Sequence, residues 1–465
     1  MVFSSSIFLL VFLPAVFILN RFLKTEWSNA FLLIASLIFY AWGEPVLVLL
    51  MIVSILINWS CGFAISRSTG NIRKFCLIVG IVADLCILGY YKYAGFFAKL
   101  VNSVLRNDIV PVVDIALPIG ISFFTFQAMS YIIDVYRGDA EASSNLVNVA
   151  LYISFFPQLI AGPIVQYTDI NRQIAQRSLS WHGTATGFRR FIYGLGKKVL
   201  IANVLGLCVD TIWAYDITAV DTRAAWIASL AYTFQIYYDF SGYSDMAIGL
   251  GRMFGFGIPE NFDHPYLSRS ISEFWRRWHM SLGAWFRKYL YIPLGGNRKG
   301  NIRTYVNLGI VFLLTGLWHG ADISFVIWGI YHGFFVIIER LGFKNLLSRS
   351  KVLSAIYAFL IVNFGWVLFR ADDTVTGIQM LVRMLMPWRH SDINLNLWEY
   401  FDMRTLFIMI IAFLGMGLIQ ILAPIKLKEK WKGSVTEAIF CTAVLLLSIA
   451  AIAGQTYNPF IYFQF

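Results

Sequence analysis

N-A-F-L-L-I-A-S-L-I-F-Y-A-W-G-E-P-V-L-V-L-L-M-I-V-S-I-L-I-N-W-S-C-G-F-A-I, residues Asn29 to Ile65, decides the fold. A single charged residue, Glu44, interrupts it, inside the turn Gly43-Glu44-Pro45. Proline lacks a backbone N–H and breaks a helix interior, so the stretch reads as two apolar helices, 29–43 and 46–65, folded into a hairpin. Crossing a bilayer takes about 20 apolar residues in a helix, and inside lipid the backbone must satisfy its own hydrogen bonds. Similar runs recur along the whole chain, at about 4–20, 75–95, 114–135, 147–165, 199–216, 223–250, 304–320, 323–340, 352–369, 404–424 and 434–454. The 465 residues are therefore expected to form an all-α, polytopic transmembrane helical bundle of about 11–13 membrane segments. No hydrophilic stretch is long enough to fold alone, so 1–465 reads as a single integral-membrane domain.

Composition agrees. Only 14% of residues are charged and 58% are hydrophobic, against about a quarter charged in soluble domains. The net charge of +11 does not point to nucleic acid. Its basic residues flank apolar spans, as cytoplasmic loops do, and membrane lipid is the implied partner. The links holding Arg21/Lys24, Arg67/Arg73/Lys74, residues 172–198, residues 340–351 and residues 426–432 read as cytoplasmic, which puts the N-terminus outside. The segment 147–165 strains that alternation and contains Pro157, Gly162 and Pro163, so a broken or re-entrant helix is as reasonable as a full span. The opening residues lack a basic n-region and a cleavage site, which argues against a removable signal. The five cysteines are scattered and form no C-x-x-C pair, and no H-x-x-x-H or H-E-x-x-H occurs, so no metal site is expected. Pro293 to Gly300 lacks the Lys-Ser/Thr pair of a phosphate loop, and no G-x-S-x-G elbow exists.

Residues 252–303 stand apart. Nine basic residues face three acidic ones, net +6, with aromatics interleaved. Phe274, Trp278, Trp285 and Tyr289 recur at helical spacing and predict one amphipathic helix opened by Ser270 or Ser272. Such a helix can lie on anionic lipid or dip into the bundle and line a cavity. It carries His279, in W-R-R-W-H-M-S-L. His319 follows in L-T-G-L-W-H-G, where Gly316 and Gly320 allow a close helix approach and Asp322 suggests a break. An ionisable residue in a lipid-adapted chain marks a functional site by default, and imidazole moves protons near neutral pH. A packed, hydrogen-bonded histidine is the other reading. Of the remaining histidines, His332 in G-I-Y-H-G reads as structural, His264 as a turn residue, and His182 and His390 as surface residues. Asp239 and Asp245 in Y-Y-D-F-S-G-Y-S-D-M do not share a helix face, so hydrogen bonds to neighbouring helices are their plain reading and a place in a substrate channel the sharper one.

At these residues the chain resembles the membrane-bound O-acyltransferase superfamily, in the bacterial branch of alginate O-acetyltransferase membrane subunits and D-alanyl transfer proteins. The likeness runs nearly end to end. It includes L-P-I-G-I-S-F-F-T-F-Q (Leu117 to Gln127), F-P-Q-L-I-A-G-P-I (Phe156 to Ile164), Y-D-F-S-G-Y-S-D-M-A-I-G-L-G (Tyr238 to Gly251) and E-N-F-D-H-P-Y (Glu260 to Tyr266). It continues through E-F-W-R-R-W-H-M-S-L, Y-L-Y-I-P-L-G-G-N-R, G-L-W-H-G and the closing N-P-F-I-Y-F-Q-F. The resemblance implies helices around a central tunnel in a bacterial plasma membrane. It implies no bound cofactor, an acyl thioester donor such as acetyl-CoA or an acyl carrier protein, and an extracytoplasmic acyltransferase partner that completes transfer to a polymer. His279 and His319 match the family's two histidines, the second being the usual catalytic candidate. Around them Trp278, Arg276, Arg287 and Trp318 are expected beside the substrate, with Trp318 a possible oxyanion donor and the arginines attracting an anionic donor. D-alanyl transfer is the alternative within the family, and a transporter or scaffold without bond chemistry the alternative outside it.

Overall fold

The computed structural model describes the chain except for residues 114, 387–396, 420–430, 455–456, 458–459 and 462–465. Regular structure among the described residues is helical, with one isolated β-bridge between Phe262 and Trp278. Two compact units emerge, one of Met1–Phe191 with Ser244–Glu260, the other of Ile192–Tyr243 with Asn261–Phe465.

In the first unit, α1 is Phe8–Arg21, α2 Thr25–Ala41, α3 Val48–Arg67, α4 Gly70–Leu88, α5 Ala94–Leu105, α6 Ile121–Arg137 and α7 Leu146–Ser154. The α2–α3 hairpin turns where the Gly-Glu-Pro signal placed it. α6 is sealed over every residue from Ile121 to Val135. α3 reaches it through Gly62, where an added Cβ would sit 2.4 Å from the Tyr131 ring. Between α3 and α4, Asp84 accepts hydrogen bonds from Asn58 at 2.8 Å and Ser54 at 3.3 Å. The strained segment 147–165 is indeed broken. α7 ends at Ser154, a single turn covers Phe156–Leu159, and the backbone then runs irregularly, buried throughout. Irregular backbone is tolerated at membrane depth where protein covers it. The Gln158 amide donates to the Tyr152 carbonyl at 2.7 Å, and the Tyr152 hydroxyl to the Val165 carbonyl at 2.9 Å.

Two long helices, α8 (Trp181–Trp213) and α9 (Thr222–Met253), contribute residues to both units. α9 is buried on all sides from Ala231 to Gly251, although it carries Thr233, Gln235, Asp239, Ser241, Ser244 and Asp245. α8 takes up most of the expected basic link 172–198. Lys197 and Lys198 lie inside the helix, and Lys198 is buried because it pairs with Asp239 at 2.7 Å.

The second unit adds α10 (Ile271–Arg277), α11 (Met280–Phe286), α12 (Asn301–His319), α13 (Ile323–Ile338), α14 (Lys351–Arg370), α15 (Thr374–Leu385), α16 (Met403–Gly415) and α17 (Val435–Gly454). α12 and α13 lie backbone to backbone. A Cβ on Gly316 would meet the Phe325 carbonyl at 2.3 Å, and one on Gly329 the Phe312 carbonyl at 2.4 Å. Asp322 opens α13 by accepting from the Ser324 N–H at 2.8 Å. α15 falls in no expected span; it buries Met380 and Met384 and exposes Val375 and Ile378. Of the expected run 404–424, α16 covers the first part and the remainder reaches residues outside the described set, as do His390, most of the basic link 426–432 and most of the closing motif.

Among the described residues, five helices are long and apolar enough to cross a membrane: Val48–Arg67, Trp181–Trp213, Ile323–Leu347, Lys351–Arg370 and Val435–Gly454. Phe8–Arg21, Thr374–Leu385 and Met403–Gly415 are shorter apolar helices. A helix such as α9 falls short of that test for a physical reason. Protein surrounds it, so its polar groups find partners that lipid would not supply. The fold is that of an all-α polytopic membrane protein.

Candidate active site

The expected single helix carrying Phe274, Trp278, Trp285 and Tyr289 breaks in two, and His279 stands at the break. α10 ends at Arg277, α11 begins at Met280, and His279 between them has φ 47° and ψ 52°. Left-handed backbone costs a non-glycine residue about 1–2 kcal/mol, so neighbouring contacts must hold it there. Asn261 supplies them. Its backbone carbonyl accepts from the Met280 N–H at 3.0 Å, and its side-chain oxygen accepts from the Ser281 N–H at 3.3 Å and the Ser281 hydroxyl at 2.9 Å. That same oxygen lies 3.1 Å from His279 Nδ1. Because two donors already define it as the acceptor, Nδ1 carries the proton and Nε2 the lone pair. The Phe262–Trp278 bridge and the bond from the Asp263 N–H to the Arg277 carbonyl extend this short antiparallel contact.

The other end of α10 is fixed as firmly. Ser270 is the N-cap, accepting from the Glu273 N–H at 3.0 Å. Glu339, buried just past the end of α13, accepts from the Ile271 N–H at 2.5 Å, the Ser272 N–H at 3.0 Å and the Ser272 hydroxyl at 2.7 Å. A carboxylate at a helix N-terminus meets the free N–H groups and the positive end of the helix dipole. Phe274, Trp278, Trp285 and Tyr289 are all buried. One face of the segment is thus packed against protein, while Arg276, Gly283, Ala284 and Arg287 on it are exposed.

His319 is the last residue of α12 and is 4% exposed. Its ring meets Trp318, Trp328 and Phe369 edge-on, with centroids 4.9, 5.1 and 5.2 Å away. Trp318 touches both histidines, at 5.7 Å from His279 and 4.9 Å from His319. Phe240 of α9 packs against His279 at 4.7 Å. The structure thus brings together, within one unit, two imidazoles that are forty positions apart in the sequence.

The other expected residues separate by environment. Trp278 is a core wall, packed at 4.8 Å on Trp366 and 5.0 Å on Phe262. Arg276 and Arg287 are exposed. Asp239 pairs with Lys198 and accepts from the Ile461 N–H at 2.9 Å. Asp245 accepts from Arg190 Nε at 2.7 Å, and the same guanidinium pairs with Glu260 at 2.5 Å. Both aspartates are thus bonded to neighbouring elements, which is their plain reading. His264, at φ 45°, sits in a turn against Asp263 at 3.0 Å, and His182 is exposed, each as expected. No group of three His, Cys, Asp or Glu side chains that could hold a metal occurs among the described residues. Asn261 and Glu339 escaped the sequence reading. Asn261 lies inside E-N-F-D-H-P-Y, and Glu339 is a lone acid closing an apolar run; neither shows its partner without the fold.

Comparison with known proteins places this geometry. The model of the membrane-bound O-acyltransferase family matches residues 124–370, a stretch that contains both histidines. The protein named "Probable alginate O-acetylase" in Pseudomonas putida is 40% identical over all of both chains. The peptidoglycan O-acetyltransferase of Helicobacter pylori is 35% identical, over 83% of this chain and 80% of its own. The teichoic acid D-alanyltransferase of Bacillus subtilis is 28% identical, over 54% of this chain and 68% of its own. With the family model covering more than half of its length and relatives aligned from end to end, the chain belongs to the membrane-bound O-acyltransferase family and is a membrane O-acyltransferase.

Proposed function

We propose that the protein takes an acyl group, most simply acetyl, from a cytoplasmic thioester such as acetyl-CoA and delivers it across the bacterial plasma membrane for O-acetylation of an extracytoplasmic polysaccharide. The observation that carries this reading is the pair of buried imidazoles meeting at Trp318. An acceptor hydroxyl is a weak nucleophile until a base removes its proton. His319 takes that proton as the hydroxyl oxygen attacks the thioester carbonyl. The tetrahedral adduct collapses, the C–S bond breaks, and the proton passes from His319 to the departing thiolate. His279, with Nδ1–H bound to Asn261, presents its Nε2 lone pair to orient the acceptor or assist the proton transfer. In this reading the Trp318 indole, which packs against both histidines, donates to the developing oxyanion.

Charge supports the sidedness. Arg276 and Arg287 are exposed, in a segment of net +6, and would draw an anionic donor to the cytoplasmic mouth of a central tunnel. The N-terminus then lies outside, and an extracytoplasmic acyltransferase partner receives the acyl group. Acetyl is preferred to D-alanyl because the acetylating relatives align over most or all of the chain and the D-alanyltransferase over about half.

Purified protein in proteoliposomes should release free thiol from acetyl-CoA in the presence of acceptor. Thiol release absent from folded wild-type protein supplied with acetyl-CoA and acceptor would overturn acetyl-CoA as the donor and favour D-alanyl transfer from a carrier-protein thioester.

A further inference from the structure

His332, which the proposed reaction does not use, lies in α13 with no exposed surface. Aromatic rings enclose it. Trp328 is 5.0 Å away centroid to centroid, Trp275 5.2 Å and Tyr331 5.2 Å. α14 makes room for it at Gly365, where a Cβ would stand 2.6 Å from His332 Nε2.

The polar atoms of this box fall into two groups. Trp366 donates its indole N–H to the Tyr266 hydroxyl at 3.1 Å, and Tyr331 donates its hydroxyl to the Ile361 carbonyl at 2.9 Å. Both nitrogens of His332, and the indole nitrogens of Trp275 and Trp328, are sealed and have no hydrogen-bond partner among the described residues. Trp275 and Trp328 also touch each other, at 5.6 Å. A buried polar atom without a partner costs about 1–3 kcal/mol, and native proteins carry few of them. Four together, two on the imidazole itself and two on the indoles beside it, form a concentration that packing alone does not reward, since an apolar side chain would fill the space without the cost.

We propose that His332, Trp275 and Trp328 form a polar subsite for the thioester donor. A neutral imidazole offers one N–H and one lone pair, and the indoles add two N–H donors. That set suits a carbonyl group, with or without a neighbouring N–H. A thioester donor carries such groups in two places, the acyl carbonyl and the amides of the arm bearing the sulfur. Trp328 also contacts His319, at 5.1 Å, so the subsite is one indole removed from the proposed base. The inference rests on the reading that thioester chemistry occurs at His319.

The test uses the full-length protein in proteoliposomes, with acetyl-CoA and with S-methyl thioacetate, which has no amide. His332→Phe removes both nitrogens; His332→Gln keeps a donor and an acceptor. For His332→Phe the expected results are an unfolding temperature equal to or above wild type and a KM for acetyl-CoA raised about tenfold, with kcat little changed. His332→Gln should keep KM within about threefold of wild type. If the guest is the arm amide, the KM increase vanishes with S-methyl thioacetate; if it is the acyl carbonyl, the increase persists with both donors. Should Phe prove too large beside Gly365, His332→Leu is read in the same way. A stable His332→Phe or His332→Leu protein with wild-type KM for both donors overturns the subsite, and so does a change confined to the acceptor KM. Failure of wild-type protein to cleave either thioester would instead remove the reading at His319.

Discussion

Among the buried ionisable residues of this protein, two sets are treated in opposite ways. The aspartates of α9 are neutralised within hydrogen-bonding distance, Asp239 by Lys198 and Asp245 by Arg190. The histidines that end α12 and divide α10 from α11 are instead walled by Trp318, Trp328, Phe369 and Phe240, and Asn261 holds His279 in left-handed backbone. A buried charge with an opposite charge beside it is framework. A neutral imidazole needs no counter-charge, and one kept in costly backbone with Nδ1 on the Asn261 amide oxygen suits proton transfer. Burial alone therefore does not identify chemistry in such a chain; the partner does.

The strongest way to break this contrast is at His319. His319→Ala should lower kcat by about 10²- to 10⁴-fold, the usual cost of losing a general base, while the unfolding temperature in detergent stays near wild type. At Asp239 the signs reverse. Asp239→Asn removes the carboxylate that faces the buried Lys198 ammonium, and breaking a buried ion pair costs about 3–5 kcal/mol of stability, yet the molecules that remain folded should turn over normally. The double variant Lys198→Met, Asp239→Leu should recover most of that stability, because a buried ion pair replaced by packed apolar groups is often neutral or better.

The sequence made one side of this contrast legible and hid the other. Apolar length gave the α2–α3 hairpin and most of the helices, and the rarity of polar residues made His279 and His319 conspicuous. What it could not give was pairing. Lys197-Lys198 looked like a loop charge because its counter-ion, Asp239, is forty-one positions away on another helix. The 4, 7, 4 spacing of Phe274, Trp278, Trp285 and Tyr289 predicted one helix. Helical periodicity survives a single left-handed residue, so the break at His279 leaves no mark on it. α15 was missed because it is amphipathic and short, not because it is polar. Asn261 and Glu339 are ordinary polar residues until tertiary contacts assign them three or more donors each.

A smaller effect sharpens the histidine side. Asn261→Ala removes the acceptor for His279 Nδ1 and for Ser281, freeing the turn to leave its strained backbone. A misplaced catalytic group can cost about 10²-fold, so kcat should fall about 10- to 100-fold, less than for His319→Ala. A full-rate Asn261→Ala enzyme would show that the geometry at His279 is incidental. The smallest expected effect lies at the exposed arginines. Arg276→Gln with Arg287→Gln should raise the donor KM a few-fold with little change in kcat. It should also flatten the salt dependence, since screening shortens from about 10 Å at 0.1 M to about 3 Å at 1 M. Unchanged salt dependence would remove the steering role.

The most direct measurement sets the two regions side by side. His319→Gln and Asp239→Asn proteins are purified, their folded fractions determined by thermal unfolding, and single-turnover thiol release from acetyl-CoA measured per folded molecule with acceptor present. The account requires His319→Gln to be stable and at least about a hundredfold slow, and Asp239→Asn to be unstable but within about threefold of wild type per folded molecule. An active His319→Gln enzyme, or equal losses per folded molecule in both variants, would contradict the assignment of chemistry to the histidines and framework to the aspartates.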